Sequence, residues 1–359
     1  MTRPSEGRWG VVPLLVALTV AAGACTGHPV PPTTSQRTSP SGTSPTSTST
    51  PGSALALGTV RLGGFITKQC PPGFRCQSFM VTCSDLQQPA QGLLELKRPK
   101  GRPRGLVMYF SGETGQRPWV TSSSAQATLP FVQSLAGAGL MNVMVAWVEP
   151  WLVSAPGEEA GTARLACRAA SLVRFVHDRM YTPLGANPRP EQCGFCLVGE
   201  SGGASEVAYT LGRYGLAGIV DRAVMVGGMP FASIQKGCLR TTSPFYYGPT
   251  ATRFIDAAYG FLPSQRGPCS AGKASFQDRW IEDSVNSPDA VLSYPHTGLE
   301  IIEGSEDTSP AIPLGGDYID ALRAAGTPFL HVQMVPGLSH GVASDPNGLV
   351  AVRAALLSG

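Results

Sequence analysis

The sequence predicts an α/β protein, with a mostly parallel central sheet flanked by helices and a cap-like insertion between the later strands. Two observations carry this. From Ala54 onward, short apolar runs alternate with stretches of helical periodicity, the pattern of strands joined by crossover helices. Between residues 232 and 297 that rhythm breaks into an aromatic-rich segment holding Cys238 and Cys269, and then it resumes. A chain of 359 residues, 42% hydrophobic and 14% charged, buries a large core and is not disordered throughout. Its formal net charge of +3 is too small to signal a nucleic-acid partner.

The first residues set the compartment. Arg3 and Arg8 flank a short basic start, and an apolar run follows from Val11 to Ala24. At 1.5 Å per residue that run reaches about 21 Å, short of the roughly 30 Å hydrocarbon core. It reads as the apolar centre of a signal peptide over residues 1–24. The run ends Ala22-Gly23-Ala24-Cys25. Small residues at Ala22 and Ala24 suit ordinary signal-peptide cleavage, which would release a secreted chain. The same stretch resembles a bacterial lipobox, with Ala22 where Leu is usual, and Cys25 would then carry the lipid. Parity favours lipidation: the chain has nine cysteines, and removing Cys25 leaves an even set for disulfides in an oxidising compartment. Residues 25–53 then form a tether. In 26–53, 21 of 28 positions are Ser, Thr or Pro, and Arg37 is the sole charge, so it cannot bury enough apolar surface to order itself.

The folded domain spans 54–359. Gln77–Cys83 and Gly92–Leu96 read as strands of a hairpin-like start, and Leu106–Phe110 as a buried strand ending in the turn Ser111-Gly112-Glu113-Thr114-Gly115. A helix near Thr128–Ala138 leads to strand Asn142–Trp147. Glu159–Tyr181 has helical periodicity, with Leu165, Leu172, Phe175, Val176 and Met180 on related faces. Strand Phe195–Val198 runs straight into Gly199-Glu200-Ser201-Gly202-Gly203, followed by helix Ala204–Arg213 and strand Ala223–Val226. After the insertion come strand Leu299–Ile302, helix Asp317–Ala325, strand Phe329–Val335 and a helix near Leu349–Leu357.

Gly199–Gly203 matches G-x-S-x-G, and so does Gly337-Leu338-Ser339-His340-Gly341. Only the first lies between an apolar strand and a helix, the setting of a sharp turn that exposes a nucleophile. Ser201 is therefore the candidate, and Ser339 is not. A serine hydroxyl needs a base. Of the five histidines, His28 lies in the tether, His177 in a helix, His331 inside a strand and His296 beside the insertion. His340 alone occupies a loop just past the last strand. The orienting carboxylate is expected after strand Leu299–Ile302, where Asp307 competes with Glu303 and Glu306; the loop after Val226 holds no acid before Ser233.

On the GESGG turn, the GSED acid loop, the GLSHG histidine loop and the chain order Ser201, Asp307, His340, the sequence resembles the α/β-hydrolase superfamily from about Leu93 onward. The resemblance implies an oxyanion hole built from the backbone N–H of Gly202 and one from the turn after Phe110. Glu113 is assigned there, although Ser111-Gly112 replaces the usual His-Gly start. It also implies a serine hydrolase acting on a carboxylic ester, small or oligomeric, without cofactor or metal. A peptidase or amidase on the same triad is the first alternative. A non-catalytic surface-tethered binding protein is the second.

Cys193-Gly194-Phe195-Cys196 runs into a strand rather than opening a helix, which argues against redox chemistry. Cys70, Cys76, Cys83, Cys167, Cys193, Cys196, Cys238 and Cys269 are read as disulfide formers of open connectivity, with Cys238–Cys269 expected to close the insertion. The expected location is the outer face of the cell membrane, reached through the lipid anchor alone. Mass spectrometry of the mature chain is expected to begin at a lipid-modified Cys25; an unmodified cysteine there refutes the anchor.

Overall fold

A computed structural model describes residues 54–67, 70–120, 125–186, 193–240 and 244–357. The leader, Cys25 and the tether lie outside the described residues. Among the described residues nine strands form one sheet: β1 (Thr59–Ile66), β2 (Arg75–Thr82), β3 (Ala90–Lys97), β4 (Gly105–Phe110), β5 (Leu140–Trp147), β6 (Phe195–Glu200), β7 (Arg222–Val226), β8 (Gly298–Gly304) and β9 (Leu330–Val335). Their order is β1-β2-β3-β5-β4-β6-β7-β8-β9. The pairs β1–β2, β2–β3 and β3–β5 are antiparallel, and every pair from β5 to β9 is parallel. This is the mostly parallel α/β sheet the sequence predicts.

The parallel strands read as continuous apolar runs because helices cover both faces. Alternate residues of β4 show it. Val107 and Tyr109 join a cluster with α1 (Ala125–Gly137) and the C-terminal helix Pro346–Leu357. Leu106, Met108 and Phe110 face the opposite layer. That layer contains α2 (Thr162–Leu165), α3 (Cys167–Val176) and α4 (Gly202–Gly212). The stretch Glu159–Tyr181 is thus not one helix. It starts after Gly161, at φ 80°, breaks between α2 and α3, and closes in a π turn at His177–Tyr181.

The insertion comprises α5 (Ile234–Cys238), α6 (Pro249–Ala258), α7 (Pro268–Ala271) and α8 (Gln277–Asp283). Trp280, Tyr247, Tyr259 and Tyr294 are buried within it or beneath it. It docks on the loop after β5, where Ser154 and Gly161 donate N–H groups to the carbonyls of Ala257 and Ala258 at 3.2 and 2.8 Å. A further helix, α9 (Ala311–Ala324), joins β8 to β9, and the C-terminal helix is α10. Among the described residues four disulfides join Cys70–Cys76, Cys83–Cys167, Cys193–Cys196 and Cys238–Cys269. Cys83–Cys167 spans 84 residues, and closing so long a loop in the unfolded chain stabilises the fold by about 4.5 kcal/mol on chain-entropy grounds. Among the described residues no helix is long and apolar enough to cross a membrane.

Glu95 is a charged residue type in the sheet core, 2% exposed, and its Oε2 has no hydrogen-bond partner among the described residues. Burial pushes its carboxyl from the ordinary 4.5 up to about 7. Between those values the folded chain keeps a proton that the unfolded chain has released, so stability falls as pH rises through that window. Glu95→Gln removes this loss. Urea unfolding is expected to find the variant gaining on the wild type as pH rises from 4.5 to 8, by roughly 1–3 kcal/mol.

Candidate active site

The site is assembled where the parallel strands end. Ser201 follows β6 directly and begins α4, and its backbone holds φ 50° and ψ −112°. Ser201 and Glu113 are the non-glycine residues with positive φ among those described, and the two turns touch. A Cβ on Gly202 would lie 2.1 Å from the Glu113 carbonyl oxygen and 3.3 Å from the Glu113 nitrogen. Glycine at 202 is what allows this approach. Gly199 and Gly203 are equally constrained, because a Cβ on either would sit 2.3 Å from a backbone carbonyl oxygen. The Ser201 N–H donates to the Val226 carbonyl at 2.8 Å, extending the sheet by one residue beneath the serine.

The Ser201 hydroxyl and His340 Nε2 are 3.0 Å apart, and His340 Nδ1 is 2.7 Å from Asp307 Oδ2. With Nδ1–H donating to the carboxylate, Nε2 is left to accept the serine proton. The Asp307 side chain is 2% exposed against 43% for His340, so the acid is sheltered while the imidazole faces the cleft. Two loops hold this geometry. Glu306 N–H donates to the Leu338 carbonyl and Gly337 N–H to Ser305 Oγ, tying the histidine loop to the acid loop. A Cβ on Gly304 would lie 2.2 Å from the Leu338 oxygen.

The three acids of that loop have separate places. Asp307 meets His340, Glu306 is exposed, and Glu303 is buried at the end of β8. Burial, and then the charge of Asp307, push the Glu303 carboxyl up to about 7. Ser309 was not legible from the sequence. Its N–H donates to Asp307 Oδ1 at 2.8 Å, and its Oγ lies 3.2 Å from His340 Nδ1. It marks no motif; only its place two residues after the acid brings it there. Glu200 also reaches the site. Burial raises its carboxyl, which accepts the Gly112 N–H. The N–H groups of Glu113 and Gly202 donate to no protein acceptor among the described residues.

A cleft of about 290 Å³ opens at Ser201 and His340, walled by Ser111, Arg117, Trp119 and Ser344 among others. No described residue of the insertion lines it. Of the tryptophans after strand ends, Trp119 borders the cleft, whereas Trp147 and Trp151 are buried in the core. Ser339 is exposed and no helix directly follows it. His177 packs on Phe195 and Tyr181, and His331 pairs with Glu300. Among the described residues no group of three or more His, Cys, Asp or Glu side chains could hold a metal ion.

No protein-family model matches the chain, and no curated protein matches it. Among solved structures it is similar to a hyperthermophilic esterase from the archaeon Pyrobaculum calidifontis, at 17% identity and a TM-score of 0.48, over 79% of this chain and 82% of that one. It is also similar to a thermostable esterase from Pseudomonas putida, at 15% and 0.45, over 80% and 82%. A puromycin-hydrolysing peptidase from Mycobacterium tuberculosis aligns at 12% and 0.47, over 80% of this chain and 39% of its own. The mostly parallel sheet flanked by helices, with a sharp turn from β6 into α4, is that of the α/β-hydrolase fold.

The turn's dependence on glycine is measurable. In Gly203→Ala the new Cβ meets the Phe110 and Ser111 carbonyl groups at 2.3 to 2.7 Å, all backbone, so the strand end must shift. A loss of about 1–3 kcal/mol is expected by denaturant unfolding. Gly137→Ala, where a Cβ meets nothing within 4 Å, is expected to be neutral or to gain up to about 1 kcal/mol.

Proposed function

We propose that the chain is an exported serine hydrolase that cleaves a carboxylic ester through an acyl-enzyme. The observation that carries this reading is the unbroken hydrogen-bonded series Ser201, His340, Asp307 at 3.0 and 2.7 Å, opening on a cleft. Ser201 Oγ attacks the ester carbonyl carbon while His340 Nε2 takes its proton. The carbonyl oxygen, now negative, is received by the N–H groups of Gly202 and Glu113, at roughly 3 kcal/mol of transition-state stabilisation per donor. His340 returns the proton to the departing alcohol. Water then attacks the acyl-enzyme, again deprotonated by His340, and the carboxylic acid leaves with Ser201 restored. Asp307 keeps the imidazole oriented and stabilises its protonated form.

A cleft of about 290 Å³ lies at the small end of ligand sites, which supports a short acyl group over a long lipid chain. The leader and Cys25 support export with a lipid anchor at the outer face of the membrane.

A fluorophosphonate probe is expected to label the wild type and leave Ser201→Ala unlabelled; labelling of that variant at Ser339 or elsewhere refutes the assignment. Against a nitrophenyl ester, Ser201→Ala is expected to lose up to about 10⁶-fold in kcat and Asp307→Asn about 10⁴-fold. Activity is expected to fall from acetyl and butyryl to long-chain esters. Matched anilides separate an esterase from an amidase.

A further inference from the structure

The near-neutral total charge conceals a local concentration. Lys97, Arg98, Lys100, Arg102 and Arg104 fall within eight residues, with no acid among them. They close β3 and form its connection to β4. Lys97 pairs with Asn142 near the start of β5, and Arg104 immediately precedes β4, so the cluster lies where the parallel strands begin. Ser201 and His340 lie where they end, about 20 Å away along the strands.

None of the five is ion-paired with a carboxylate among the described residues. Three are steadied by backbone carbonyls: Lys97 donates to Gly73 at 3.0 Å, Arg102 to Leu184 at 2.8 Å and Arg104 to Ala138 at 2.7 Å. These bonds fix the side chains without neutralising them. Arg98 and Lys100 are exposed and have no hydrogen bond among the described residues. A hollow of about 510 Å³ runs between the cluster and the end of α1, and its described lining contains no carboxylate.

Aromatic side chains border the cations. β1 and β2 bring Phe65 and Phe74 to the same end of the sheet, through the pairings of Phe65 with Gln77 and of Arg75 with Leu96. Phe65 is 59% exposed, and the Arg75 guanidinium sits 4.6 Å over its ring. Lys97 Nζ lies 5.2 Å over the Phe74 ring. Tying off carbonyls near a helix end accounts for Arg102 and Arg104. It does not account for Arg98, Lys100 or the exposed Phe65.

We propose that this end of the molecule docks on an anionic lipid surface. The cationic heads meet the phosphates, and Phe65 reaches the boundary between headgroups and acyl chains. A soluble polyanion would use the cations but gain nothing from the exposed ring, which is why lipid is the assigned partner. Docked this way, the molecule turns its catalytic cleft away from the membrane, and substrate enters from the aqueous side. The contact is additional to any anchor at Cys25.

The test uses the full chain carrying Cys25→Ala, sedimented with vesicles of phosphatidylcholine alone and of phosphatidylcholine with phosphatidylglycerol. Comparing the two vesicle types cancels any apolar contribution of the N-terminal residues. The chain is expected to prefer the anionic vesicles, less so at high salt. The preference should weaken about fivefold for each charge removed in Arg98→Gln and Lys100→Gln, and binding to the anionic vesicles should itself weaken in Phe65→Ala, with thermal unfolding unchanged in all three. Equal binding to both vesicles, or full preference retained by the Arg98→Gln, Lys100→Gln double variant, overturns the proposal. Charge-dependent binding that Phe65→Ala leaves untouched overturns the lipid assignment in favour of a soluble polyanion.

Discussion

The site depends on one strained backbone position. Ser201 is held at φ 50°, a conformation that costs a non-glycine residue about 1–3 kcal/mol and persists only where its surroundings over-determine it. Here the surroundings are specific. Its N–H is committed to the Val226 carbonyl, α4 behind it is buried along its whole length, and Gly199 and Gly203 let the strand before and the helix after press backbone against backbone. Relaxing the turn would break the β7 contact and withdraw the Ser201 hydroxyl from His340. The second strained residue, Glu113, is packed against Gly202, so the two turns constrain each other.

The acid loop shows how the fold selects one carboxylate among several. Glu303 and Asp307 are both sheltered, but Asp307 receives the Ser309 N–H and the His340 Nδ1–H. Glu303 Oε1 receives nothing among the described residues. Burial, reinforced by the charge of Asp307, therefore keeps Glu303 protonated up to about pH 7. Ionising Glu303 would add a second negative charge near Asp307, and its burial opposes that. Its neighbour Gly315 has no side chain to crowd that carboxyl: a Cβ there would lie 3.0 Å from Glu303 Oε1.

What the sequence reveals follows from the same physics. The strands β4 to β8 are legible because layers on both faces force continuous apolar runs. β1 is not legible: it is an edge strand, mostly exposed, with Gly63-Gly64 at an irregularity in its pairing with β2. α9 begins at Ala311, earlier than periodicity suggests, because Pro313, Gly315 and Gly316 look like breakers. Yet proline is tolerated in a first helical turn, and Gly315 is needed where the helix crosses Met229 and Glu303. Ser201 and His340 are legible through strand-end context. Asp307 is reached through the GSED loop and the chain order, and what the sequence does not carry is the reason Glu303 is passed over, its burial at the end of β8. Of the disulfides, Cys238–Cys269 follows from its closing the insertion, whereas Cys83–Cys167 depends on the fold that brings β2 beside α3. The basic connection at 97–104 is missed by a reading that rests on whole-chain charge, which averages it away.

The parallel βα repeat makes the two ends of this molecule electrically unlike. Each crossover helix leaves the finishing end of one strand and returns to the starting end of the next, so helix N-termini gather at one end and C-termini at the other. Backbone N–H groups are unsatisfied at the first and carbonyls at the second. An oxyanion developing beside Ser201, as the proposed mechanism requires, would meet the N-terminus of α4, where negative charge is favoured. At the far end, Ala138 just past α1 offers its carbonyl to Arg104, where positive charge is favoured. Stabilising an anionic transition state, as that mechanism requires, and displaying a cationic surface therefore place no conflicting demands on the chain. They use opposite poles of the same helices, kept a strand length apart by the sheet.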